Sequence, residues 1–192
     1  MSTEKSVGKI GHLKTGGIGH LIFDNPARRN AVSRDMARQV PEVLADFEQD
    51  PDIRVMVVSG AGDKSFISGA DISEFEKTRA NAEAARESSA RSMAMFEGMR
   101  AFPKPTIAKI RGYCFGGGMA LACACDLRVA ADDALFAIPA ARLGIGYRAT
   151  FTRWVIDAVG PANAKEILLT ARRYDAAEAF RLGLVHRVVP VA

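Results

Sequence analysis

Apolar and polar residues alternate over 7–14 and again over 18–23, on either side of Thr15-Gly16-Gly17. A period of two around a glycine turn predicts a β-hairpin. The following "DNPARRNAVS" reads as a loop ending in a helix cap, with Ser33 at the N-cap position. Met36, Val40, Val43, Leu44 and Phe47 then recur at helical spacing. Pro41 falls inside that pattern and predicts a kink or a break, because proline removes a backbone donor. "IRVMVVSG" (53–60) and "KPTIAKIRG" (104–112) read as buried strands, with Pro105 at the start of the second, where proline is tolerated. Between them, "AGDKSFISGAD" reads as a Gly/Ser loop and 71–101 as mostly helical. Gly117 onward is a helix of small residues, and "DLRVAA" (126–131) a third strand. Residues 150–183 read as helical, with Pro161 opening a new helix after Gly160, and "LVHRVVP" as a last strand. Strands alternating with helices predict an α/β fold with covered sheet faces. No linker or low-complexity segment interrupts the pattern, so a single domain over 1–192 is expected.

Composition narrows the function classes. The 192 residues are 48% apolar and 25% charged, as in a soluble globular domain. The net charge of +4 is spread thinly, with no basic run longer than Arg28-Arg29 or Arg172-Arg173. A nucleic-acid binder would show a basic stripe with aromatics, so none is expected as partner; a small phosphorylated ligand suits the same modest excess. No stretch approaches the ~18 apolar residues of a membrane span. "MSTEKSVGKIGHLK" has no apolar core, so it does not read as a secretory signal. Cys114, Cys123 and Cys125 share one apolar region without nearby histidine, which reads as reduced, buried thiols in a cytoplasmic protein rather than a metal site.

Candidate chemistry lies in two glycine turns, "FISGAD" (66–71) and "CFGGGM" (114–119). Each follows an apolar stretch and leads toward a helical one. Small residues there let a ligand atom approach backbone N–H groups, and a helix start adds free donors. Two such turns can converge on one carbonyl oxygen as an oxyanion hole; either alone is also explained by tight packing. Neither "TGGIGH" nor "FGGGMA" is a Walker or dinucleotide fingerprint.

These stretches, together with "NPARRNAVS", "KPTIAKIRGYCFGGGMALACACDLRVA", "ALFAIPAARLGI" and "GPANAKEILLTARRYDAAEAFRLGLVHRVVP", resemble the crotonase family, the enoyl-CoA hydratase/isomerase superfamily, over about residues 7 to 190. The resemblance implies a crotonase-like spiral of strand–strand–helix units, homotrimers or homohexamers, and acyl-CoA thioester substrates, with no cofactor beyond the coenzyme A moiety. It assigns the oxyanion-hole amides to Ala70 and Gly117. It places the CoA thioester against the loop after Asn25 and the Ala70-Asp71-Ile72 stretch, with Arg28, Arg29, Ala31, Ser68, Asp71, Ile72 and Gly116 as contacts and the two arginines as phosphate partners. Family chains continue through further helices after a strand like "LVHRVVP", so most of those C-terminal helices are expected to be absent from this chain.

One departure bears on the chemistry. Hydratases of the family carry two glutamates that hold and ionise water, and the corresponding positions here are Ala120 and Ala140. Alanine moves no proton, and positioned acid–base groups are worth ~10²–10⁴-fold each. Classical hydration is therefore not expected. Tyr147, seven residues past Ala140, resembles a tyrosine of family decarboxylases and is the candidate replacement, through a hydrogen bond to a carboxylate or a proton to an enolate. Arg148 and Arg142 are cations in the same loop; Arg148 stands where dienoyl-CoA isomerases of the family have an acid, and would tolerate an anionic acyl group. Decarboxylation or isomerisation fits these residues, as does a non-catalytic acyl-CoA-binding or assembly subunit. Asp71 reads as a helix-start cap and Asp126 as structural, and His12, His20 and His186 lie in strand-like segments away from the glycine turns.

Overall fold

β1 (Lys9–Thr15) and β2 (Ile18–Asp24) form the expected antiparallel hairpin. Gly16 (φ 58°) and Gly17 (φ 80°) take the two left-handed positions that a tight right-twisted hairpin turn requires. The computed structural model describes residues 8–71 and 82–191. A 3₁₀ turn, Pro26–Arg28, leads to α1 (Arg34–Gln49), where the Ser33 hydroxyl accepts from the Met36 N–H as an N-cap. Then come β3 (Val55–Gly60), β4 (Ser65–Ile67), α2 (Ala82–Ala101), β5 (Thr106–Ile110), β6 (Tyr113–Phe115) and α3 (Gly117–Ala124). The chain continues through β7 (Leu127–Ala131), β8 (Leu135–Ala137), a 3₁₀ turn Ala141–Leu143, α4 (Ala149–Thr170), β9 (Tyr174–Asp175), α5 (Ala176–Arg181) and β10 (Arg187–Val189).

The strands divide between two sheets. One runs β1-β2-β3-β5-β7-β10 and is parallel from β2 onward; the other runs β4-β6-β8-β9. From β3 to β8 successive strands alternate between the sheets, so each turn of the chain there is strand, strand, helix: a spiral. Parallel pairing forces a long crossover between neighbours, and the helices supply it. The core lies between the layers, with Phe23, Phe47, Phe66, Met56, Phe136 and Tyr174 almost fully enclosed. Gly98 lets α2 approach α1; a Cβ there would sit 3.1 Å from Leu44 Cδ1.

Three expectations need correction. Pro41 does not break α1, which runs unbroken from Arg34 to Gln49 with Pro41 on its exposed side. Burial of Met36, Val40, Val43, Leu44 and Phe47 outweighs one missing backbone bond. "AGDKSFISGAD" is not all loop, because Ser65–Ile67 pairs in parallel with β6. Residues 150–183 are not continuously helical: β9 joins β8 antiparallel between α4 and α5. Pro161 does open a new helical segment, since Gly160 is non-helical (φ 76°, ψ 166°). Of the helix expected over 71–101, residues 72–81 lie outside the described residues.

Candidate active site

The three consecutive glycines serve three different physical needs. Gly116 has φ 51° and ψ −109°, a conformation closed to L side chains, although nothing would crowd a Cβ there. Gly117 has no such restriction, and its nearest would-be contact is Gly69 Cα at 3.7 Å. Gly118 has no room at all, since a Cβ would fall 2.1 Å from the Ile67 carbonyl oxygen. That close seating of α3 on β4 brings the two glycine turns into contact. Gly69 (φ 120°) lies directly against Gly117.

The backbone of the first turn is held from outside. The Val32 N–H donates to the Gly69 carbonyl (2.8 Å) and the Asp71 N–H to the Val32 carbonyl (3.0 Å). In an extended ladder alternate residues point opposite ways. The Ala70 N–H therefore turns away from Val32, toward α3. Among the described residues, neither the Ala70 nor the Gly117 N–H has a hydrogen-bond acceptor. Both residues line one cavity of about 380 Å³.

The walls of this cavity are mostly apolar. Phe96 of α2 packs at a tilt against Phe151 of α4 (centroids 4.4 Å, interplanar 52°), which lies 5.7 Å from the Tyr147 ring. Among the described residues the lining holds one carboxylate, Asp71, and no histidine, lysine or cysteine. Asp71 is buried and bridges to Arg28 at 3.0 Å. Ala140 lines the cavity, whereas Ala120 is fully enclosed in α3. Two cations, Arg34 and Arg148, reach the lining. Arg148 is exposed and donates to the Ser89 hydroxyl of α2.

The Tyr147 hydroxyl donates to the Gly116 carbonyl at 3.0 Å, and the same oxygen accepts the Ala120 N–H at 3.2 Å. Burial pushes the phenol well above its usual range, with the neighbouring Cys123 and Cys114 adding to the shift. It is a neutral donor, and its one proton is directed at the backbone.

The remaining sequence candidates sort by position. Arg28 reaches Asp71, and the Arg29 guanidinium lies 4.7 Å from the Tyr113 ring centroid. The Ser68 hydroxyl donates to the Arg28 carbonyl, and Ala31 is buried with its carbonyl accepting from Asn25. Gly116, Ser68 and Asp71 line the cavity; Arg28, Arg29 and Ala31 do not. Ile72 lies outside the described residues, as does the helix start that Asp71 was expected to cap. Arg142 is exposed on its 3₁₀ turn. Asp126 is structural, accepting from both the N–H and the hydroxyl of Thr106 (2.8 and 2.7 Å). His12, His20 and His186 stand apart from the cavity; His186 Nδ1 accepts the Arg128 N–H. Burial holds the thiols of Cys123 and Cys125 at about 11 and about 12, so they are protonated core residues.

The residue that sequence reasoning under-used is Asn30. Its amide donates to the Ala61 and Ser65 carbonyls, and its oxygen accepts the Asn25 N–H. This buried clasp holds the 25–33 loop against β4 and so fixes the strand that presents Ala70. An asparagine at positive φ (56°) is its signal.

The spiral and its paired glycine turns define the crotonase fold. The profile of the enoyl-CoA hydratase/isomerase family matches residues 14–192, and the chain belongs to that family. It is 38% identical over 169 residues to a crotonyl-CoA hydratase from Syntrophomonas wolfei, covering 88% of this chain and 64% of that protein. It is 35% identical over 198 residues to a peroxisomal Delta(3,5)-Delta(2,4)-dienoyl-CoA isomerase from Arabidopsis thaliana, covering 98% and 71%. An enoyl-CoA hydratase/carnithine racemase structure from Magnetospirillum magneticum superposes with a TM-score of 0.91 at 38% identity, over 96% of this chain and 69% of that one. The chain thus spans about two thirds of the length of these relatives. Among the described residues, no helix is long and apolar enough to cross a membrane.

Proposed function

We propose that this chain binds acyl-CoA thioesters and stabilises negative charge on the thioester oxygen with the N–H groups of Ala70 and Gly117. The observation that carries this reading is the pair of backbone donors on abutting turns, both without an acceptor among the described residues, at one apolar cavity. Each well-placed donor is worth about 2.7–4 kcal/mol of transition-state stabilisation. Its family relatives are named for reactions of CoA thioesters. Arg28, Arg29, Ala31, Ser68 and the 70–72 stretch would then face the coenzyme A moiety, the only cofactor-like group needed. Self-association as trimers or hexamers, and a reducing cytoplasmic setting for the buried thiols, belong to the same reading.

The cavity favours a reaction that needs no protein base. Its one described carboxylate is bridged to arginine, and both glutamate positions are alanine. Decarboxylation of a malonyl-type thioester meets that condition. The bond to the carboxylate breaks, carbon dioxide leaves, and the electron pair becomes an enolate whose oxygen charge lies at the two N–H groups. Water then supplies the proton. Arg148 at the rim is placed to attract the carboxylate beforehand. A non-catalytic acyl-CoA binder is the second reading, supported by the same scarcity of free acid–base groups among the described residues of the lining.

Calorimetry with butyryl-CoA and with free CoA, followed by assay of carbon dioxide from methylmalonyl-CoA, tests the proposal. Thioester binding tighter than CoA, with carbon dioxide release, supports catalysis. Binding without release supports the binder. No preference for the thioester contradicts both.

A further inference from the structure

We infer that Tyr147 is a positioning residue: its hydroxyl, bound to the Gly116 carbonyl, holds the Gly116–Gly117 peptide so that the Gly117 N–H faces the cavity. The inference rests on the reading of that N–H as a thioester donor.

The Gly116 carbonyl and the Gly117 N–H are two ends of a single planar peptide unit, and it is trans. In a trans unit the C=O and N–H point in opposite directions. Whatever anchors the oxygen therefore aims the hydrogen. Tyr147 anchors it from 31 residues away, at 3.0 Å.

This peptide needs an anchor. Its orientation turns on ψ of Gly116, which stands at −109° beside a φ of 51°. Glycine has no Cβ to hinder rotation, and nothing lies within 4 Å of where one would be. The local chain thus offers little resistance to a peptide flip that would swing the N–H out of the cavity. Ala120 N–H supplies one restraint on the oxygen, but at 3.2 Å it is the longer of the two. Tyr147 supplies the second and is itself held by its ring against Phe151. Accepting a hydrogen bond on the oxygen also polarises the peptide, and linked hydrogen bonds strengthen one another.

The same geometry speaks against Tyr147 as the acid in turnover. A phenol has one proton, and this one is donated to backbone. The hydroxyl shares its acceptor with the Ala120 N–H, so its lone proton is committed to the start of α3.

The test reads carbonyl polarisation directly. A conjugated thioester, cinnamoyl-CoA, absorbs at longer wavelength when its carbonyl oxygen accepts strong hydrogen bonds. S-butyl-CoA, a thioether, has no carbonyl and reports the rest of the site. Tyr147→Phe removes the hydroxyl and keeps the ring. The expected result is an unchanged affinity for S-butyl-CoA, a smaller red shift of bound cinnamoyl-CoA, and about fivefold weaker binding of it, the worth of roughly one neutral hydrogen bond. Replacing Tyr147 with 3-fluorotyrosine makes the phenol a stronger donor and should enlarge the shift. Tyr147→Phe with the full red shift, or 3-fluorotyrosine with no change, overturns the inference. A parent protein that binds cinnamoyl-CoA with no red shift overturns instead the reading of the two N–H groups, and this inference with it.

Discussion

Gly118 of α3 sits so close to Ile67 of β4 that a methyl group on Gly118 would lie 2.1 Å from the Ile67 carbonyl oxygen. The helix and strand carrying the two glycine turns are thereby clamped together. Because the three glycines answer to different constraints, their alanine variants should separate. Gly118→Ala should cost about 3 kcal/mol or more, since backbone must move. Gly116→Ala should cost about 1–3 kcal/mol through its φ of 51°. Gly117→Ala, with 3.7 Å of clearance, should change stability by less than about 1 kcal/mol. Thermal midpoints check the order; a Gly117 variant less stable than the Gly118 variant would contradict it.

Restoring the two carboxylates probes the site from another side. Ala140 faces the cavity, so Ala140→Glu should fold with nearly the parent midpoint. Ala120 is completely enclosed, so Ala120→Glu should lower the midpoint by burying an acid inside α3's packed surroundings. The double variant should gain crotonyl-CoA hydration that neither single variant shows, because water must be both held and ionised. Hydration equally strong in one single variant would show that the second acid is not needed.

Arg148 should set selectivity rather than fold. It is exposed and reaches only the Ser89 hydroxyl among the described residues. Arg148→Ala should weaken malonyl-CoA several-fold while leaving butyryl-CoA within twofold, since a partly solvated ion pair is worth about 1 kcal/mol. Competition between the two ligands measures this, and equal losses for both would assign Arg148 to the coenzyme moiety instead.

Acid should destabilise the protein through His186. Partial desolvation of this otherwise exposed ring, with the Arg128 charge, lowers its pKa below the ordinary 6.5, while its Nδ1 accepts the Arg128 N–H. The unfolded chain then takes up the proton first. The stabilisation is complete above pH 6.5 and is lost as pH falls through the lower folded value. Thermal midpoints of the parent should drop across that window more steeply than those of His186→Gln; parallel curves would remove His186 from the account.

Much of this was readable from residue letters, and the reasons are physical. A glycine run after an apolar stretch marks backbone that something approaches closely, here Ile67 at Gly118, and alanine at 120 and 140 is visible without coordinates. The second sheet was not readable. β4, β6 and β8 are three residues each, too short to display a period, and they gain their pairing only from the spiral. Pro41 misled because a local rule was set against the burial of one whole helix face. The partner of Tyr147 was hidden for a different reason: a backbone carbonyl carries no side-chain signature, so the bond to Gly116 exists only once the chain has folded.

In the proposed function, backbone donors hold a thioester carbonyl without the acids of hydration. The most direct test is the loss of enoyl absorbance when the purified protein meets crotonyl-CoA, after binding has been established by calorimetry. The expected result is binding with no hydration at an enzyme-like rate. Rapid hydration by the unaltered chain would contradict it and require another acid–base pair.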